Sequence, residues 1–73
     1  MTIHDRAYAY IKELHDLHTK VYVEEKEVTL KDRALCGEAR VFAEDNAFLL
    51  SGTDYVDQIW DLAENIEIMF EAF

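Results

Sequence analysis

The chain has 73 residues, 51% of them apolar, with sixteen acids against seven bases and a formal net charge of −9. That length gives one small domain, residues 1–73, with a marginal core, because a chain this short buries only about 60% of the surface its unfolded form exposes. The acid excess argues against direct binding to nucleic acid or to an anionic membrane surface, which both need Lys and Arg, and no run of about 18 apolar residues is present to cross a bilayer.

Two Gly and no Pro leave few breaks and favour long helices. The lone Cys36 has no partner for an internal disulfide, and Met1 is followed by His4, Asp5 and Arg6 rather than an apolar run. Both points favour a cytoplasmic, reducing setting without a secretory leader. The charge is unevenly placed. Residues 1–40 carry eight acids and seven bases, net −1, whereas residues 41–73 carry eight acids and no base, net −8. Such asymmetry points to one face that meets a basic partner; the plainer reading is a solubilising surface.

Thr2 suits the cap of a first helix, with Asp5 completing a capping-box pattern. Ile3, Ala7, Tyr10, Leu14, Leu17 and Val21 follow at alternating steps of four and three, an apolar stripe over three heptads. A second stripe, His4, Tyr8, Ile11, His15, His18 and Tyr22, flanks it and holds all three histidines. Amphipathic side chains of this kind border a core with their polar tips in water. A partner-facing seam and a metal site through His15 and His18 are the weaker readings. The helix is expected to run on to about Glu25, although Val21–Val23 and Val28–Leu30 are also strand-prone.

Thr29 is the expected cap of a second helix, with Asp32 at its third position. Its apolar residues form two adjacent columns, Ala34, Val41, Phe48 and Leu35, Phe42, Leu49, with the charged Lys31, Glu38 and Asp45 between them. Charges in the middle of a core face are costly. A hairpin of Arg40–Ala43 and Ala47–Leu50 around Glu44-Asp45-Asn46 is therefore the alternative, which makes the fold α+β. The lead remains mainly α, a three-helix bundle-like domain. Ser51-Gly52-Thr53 punctuates the chain, Gly52 as the C′ residue of one helix and Thr53 as the N-cap of the next.

The last helix, from Thr53 to Phe73, has two faces. One is apolar over about half the circumference, wider than an outer bundle helix needs, so Tyr55, Leu62 and Met69 on one edge, or Trp60 and Phe73 on the other, are candidates for self-association in a homodimer. The other face is a row of carboxylates, Asp54, Asp57, Asp61, Glu64, Glu67 and Glu71, rising about 5 Å at a time. Like charges at this spacing cost a few tenths of a kcal/mol each rather than stabilising the helix. The rise is of the same order as the separation of successive phosphates, so the row could occupy a basic groove on a nucleic-acid-binding protein.

No catalytic motif accompanies these features. Cys36 lacks a local histidine signature, Gly37 and Gly52 are isolated rather than part of a phosphate loop, and no cofactor or metal is expected. The nearest thing to a metal centre is Glu38 and Asp45 with His15 or His18, without the Glu-x-x-His pattern of di-metal bundles. The reading is a non-enzymatic protein that inhibits or modulates another protein through its acidic row. The rivals are an assembly subunit docking through an apolar helix edge, and a metal-binding bundle.

Overall fold

A computed structural model describes residues 1–71, Glu71 by its backbone alone. It has three α-helices, α1 (Ile3–Tyr22), α2 (Leu30–Asp45) and α3 (Tyr55–Ile68), and α3 tightens into a 3₁₀ turn over Met69–Glu71. The mainly α expectation holds. The hairpin alternative does not, because residues 40–45 continue α2 and no strand forms among the described residues.

Two of the three expected N-terminal caps, Thr2 and Thr29, are present as full capping boxes. The Thr2 hydroxyl accepts from the Asp5 N–H while the Asp5 carboxylate accepts from the Thr2 N–H, and Thr29 and Asp32 repeat the arrangement. Each pair satisfies two of the four amides a helix start leaves unbonded. The end of α1 differs from expectation: the helix stops at Tyr22, short of Glu25. Glu25 has φ 54°, in the left-handed region, and the Lys26 N–H returns to the Lys20 carbonyl. That conformation costs a non-glycine residue about 1 kcal/mol and turns the chain away from the helix axis.

The connection from α2 to α3 is also built differently from the sequence reading. α2 ends at Asp45, capped by Asn46, and residues 46–54 form consecutive turns tied inward by Leu50, which is fully buried. Gly52 has φ +88° but lies seven residues past the end of α2, so it reverses the loop instead of capping the helix. Thr53 is one residue too early to be the N-cap of α3. Its hydroxyl donates to the Leu50 carbonyl at 2.6 Å and accepts from the Tyr55 N–H at 3.3 Å, while Asp54 occupies the cap position without a side-chain bond.

The helices run up, down, up. Lys20 meets Asp32 while Arg6 and Tyr10 meet Phe42, which sets α1 and α2 antiparallel. His4 touches Tyr55 while Tyr22 reaches Asn65, which sets α1 and α3 parallel. One core runs through all three: Ala7, Ile11, Leu14, Leu17 and Val21 from α1; Cys36, Ala39, Phe42 and Ala43 from α2; Ile59, Ala63 and Ile66 from α3; and Leu50 from the turn. α1 and α2 each pack extensively on α3 and only sparsely on each other.

This arrangement corrects the reading of α2. Its buried face is centred on Cys36, Ala39 and Ala43, about one residue's 100° step away from the line of Lys31, Glu38 and Asp45, and all three of those charges are exposed. Of the two columns, Leu35 and Phe42 turn inward, whereas Ala34, Val41, Phe48 and Leu49 face out. The buried face is thus built mostly from small apolar side chains, which offer less area to a pattern weighted by size than the flanking columns do. In α1 the core face likewise shifts to take in Ile11 from the second stripe, leaving Ile3 and Tyr10 half-buried.

Candidate functional site

α3 buries one face and exposes the other. Ile59, Ala63 and Ile66 are fully buried along the centre of the inner face. Tyr55, Leu62 and Met69 recur every seven residues along one flank, and Tyr55 meets His4 of α1 edge-on with ring centroids 6.1 Å apart. Trp60 lies on the opposite flank, where the Arg40 guanidinium of α2 sits 4.5 Å from its ring centroid. The unusual width of the apolar face is thus explained within one chain, because α3 receives α1 on one flank and α2 on the other. Of the residues expected at a self-association edge, Tyr55, Trp60, Leu62 and Met69 are half-buried against the core, and Phe73 lies outside the described residues.

On the outer face Asp57, Asp61 and Glu64 are exposed, with Asp54 exposed at the cap position before them. None of these four has an ion-pair partner among the described residues. Asp57 also lies in the first turn, where a carboxylate complements the positive end of the helix dipole. Asn65 and Ile68 share this face, and Ile68 is 65% exposed between the carboxylates. The row is not uniform. Glu67 turns toward α2, with its Oε1 3.0 Å from the Arg40 Nε in a half-buried ion pair. It belongs to the α2–α3 contact rather than to the free face. The Glu71 side chain lies outside the described residues.

Arg40 therefore explains something the linear sequence hides. The last third of the chain has no base of its own, yet two arginines of α2 reach across to it. Arg33 donates from Nη2 to the Phe70 carbonyl at 3.0 Å and stacks 4.9 Å from the Phe70 ring centroid, which fixes the end of α3. Of the α3 row, the members that stay exposed and unpaired among the described residues are Asp54, Asp57, Asp61 and Glu64.

The histidine flank behaves as a border to the core. His18 stacks on Tyr22 at 4.4 Å, and the Tyr22 hydroxyl donates to the Asn65 carbonyl at 2.6 Å. His15, Glu38 and Asp45 are exposed, and no group of three or more His, Cys, Asp or Glu side chains is arranged to hold a metal ion among the described residues. Cys36 is fully buried, and its thiol pKa is pushed up to about 11 by desolvation, assisted by the nearby Glu67 carboxylate. A thiol so protonated is a poor nucleophile. Among the described residues no helix is long and apolar enough to cross a membrane.

The structure also presents apolar residues that the sequence reading placed elsewhere. Phe48 is 88% exposed and Leu49 57% exposed, both on the turn between α2 and α3, next to the buried Leu50. The signal for them was weak, because a short apolar run between helices reads equally well as a buried strand. No family model, curated protein or solved structure matches the chain.

Proposed function

We propose that the chain is a small non-enzymatic binding protein that modulates another protein by laying the outer face of α3 on a basic surface. The observation that carries this reading is the set Asp54, Asp57, Asp61 and Glu64. They are exposed, spaced about one helical turn apart, and free of any cationic partner among the described residues. Holding like charges in a row costs the helix a few tenths of a kcal/mol per pair, and only Asp57, in the first turn, recovers part of that from the helix dipole. Its rise of about 5 Å per carboxylate is of the order of a phosphate spacing, which makes the basic groove of a nucleic-acid-binding protein the favoured target. Association through such a face is fast and weakens as salt rises. A cytoplasmic setting fits the single thiol.

The test is charge reversal at three exposed positions, Asp57→Lys, Asp61→Lys and Glu64→Lys together. Circular dichroism should report an unchanged helix content, because none of the three side chains packs in the core. Capture of the partner from cells should be lost, and duplex DNA should compete with the wild-type chain for it. Capture that survives the reversal sinks the proposal.

A second reading rests on Phe48 and Leu49. An assembly subunit that docks through apolar side chains would use this exposed turn rather than the Trp60 or Leu62 edge, which is already packed. It predicts association that is insensitive to salt and lost on Phe48→Ala.

A further inference from the structure

α1 and α2 both pack on α3 and more sparsely on each other, and the seam between them is bridged near its two ends, by Lys20 with Asp32 and by Arg6 and Tyr10 on Phe42. Three adjoining depressions of about 520, 260 and 410 Å³ follow one another along it, and Glu38 lines all three. Together they form a trough that reaches on α1 from Lys20 to Arg6. At 1.5 Å per residue that is about 21 Å, the length of a helix of about four turns.

The chemistry of the trough is specific. Its floor is apolar, with Leu17 from α1 and Ala34 and Leu35 from α2. Further along, the buried Phe42 and half-buried Tyr10 line it together with the exposed Gly37 and Val41. The walls at mid-length carry Glu13 and Asp16 on one side and Glu38 on the other, and none of these has an ion-pair partner among the described residues. The bases along the trough are largely engaged. Lys20 is bridged to Asp32 at 2.6 Å and the Arg6 guanidinium lies 5.0 Å from the Phe42 ring centroid; with Lys31, these side chains face the five acids Glu13, Asp16, Asp32, Glu38 and Asp45.

We infer that this seam is a docking groove for a cationic amphipathic helix of a partner protein, which completes the bundle as a fourth helix. An apolar stripe on the occupant would cover Leu17, Ala34 and Leu35, and Arg or Lys beside that stripe would meet Glu13, Asp16 and Glu38. A second copy of this chain does not meet the charge requirement. It carries net −9, α3 has no base, and the apolar stripe of α1 is already buried in its own core. The surface is separate from the α3 face, and the inference does not depend on that reading.

The probe is a synthetic helix-forming peptide about four turns long, with leucines along one stripe and arginines flanking it. Its control is the same peptide with glutamate in place of arginine. Titration into the labelled chain, followed by amide shifts, should move Glu13, Leu17, Ala34 and Glu38 and leave Asp57, Asp61 and Glu64 in place. Glu13→Lys with Glu38→Lys, and separately Ala34→Trp, should each weaken binding at least about tenfold, and the triple reversal on α3 should bind like the wild type. Glu13→Gln with Glu38→Gln is the milder variant should either of the first two lose its helical circular dichroism, and it should weaken binding in the same direction. Four results would each overturn the inference: shifts that map to α3 and vanish with its reversal, equal binding of the glutamate peptide, no binding at about 1 mM peptide, or a dimer in sedimentation that Ala34→Trp dissociates.

Discussion

Arg40 and Glu67 face each other across the α2–α3 contact, Nε to Oε1 at 3.0 Å, with the Arg40 guanidinium lying over the Trp60 ring. Both side chains are about one-third exposed or less, so the pair is neither a fully screened surface bridge nor a fully desolvated one. One arginine thus joins a carboxylate and an aromatic ring that stand seven residues apart on the same flank of α3. Arg40→Ala should cost about 1–2 kcal/mol, mostly lost packing and cation–π attraction. Arg40→Lys should recover less than half, since an ammonium has no planar group to stack. Chemical denaturation followed by Trp60 fluorescence reads both effects.

The overall architecture was legible from local signals. Thr2 with Asp5 and Thr29 with Asp32 announce two helix starts by short-range chemistry, and both form. The face that α2 buries was not legible. Cys36, Ala39 and Ala43 carry little hydropathy, while the exposed Val41, Phe48 and Leu49 carry much, so a pattern weighted by size points about 100° away. The breadth of the apolar face of α3 was visible, but its reason is tertiary: two neighbours share it. The acidic row was visible too, but Glu67 left it for Arg40, a partner 27 residues earlier in the chain that no spacing rule connects.

Gly37 sits inside α2, exposed, with nothing within 4 Å of where a Cβ would lie. Gly37→Ala should therefore stabilise the chain by about 0.5–1 kcal/mol, as a helix-interior glycine loses more backbone entropy than alanine. Gly52→Ala should do the opposite by about 1 kcal/mol, because φ +88° is strained for an L side chain. Thermal melts of the two variants should move in opposite directions.

Asp32 joins a cap to a bridge. Burial alone would raise its pKa, but the hydrogen bonds from Lys20 and from Thr29 outweigh that and hold the carboxyl below its ordinary value of 3.8. A depressed folded-state pKa contributes stability that is present above the unfolded value and lost as pH falls through the folded one. Asp32→Asn should cost about 1–2 kcal/mol at pH 7, and the gap to the wild type should begin to narrow near pH 3.8 and close only as pH falls past the lower, folded-state value. Denaturation midpoints from pH 7 to 2.5 check the sign.

Cys36 behaves in the opposite sense. Its folded thiol stays protonated up to about pH 11, whereas the unfolded thiol ionises near its ordinary value of 9.0. The unfolded state then binds fewer protons, so stability should fall as pH rises from 9 to 11, by up to about 1.4 kcal/mol per pH unit. At pH 8, maleimide labelling should be slow in the folded chain and should accelerate only with unfolding.

The outer face of α3 carries the account, and reversing Asp57, Asp61 and Glu64 to Lys while measuring partner capture across a salt series tests it most directly. The fold should stay intact, capture by the wild type should decline steadily with salt, and the variant should capture nothing at any salt. Capture by the variant equal to the wild type, or wild-type capture that salt leaves unchanged, would contradict it.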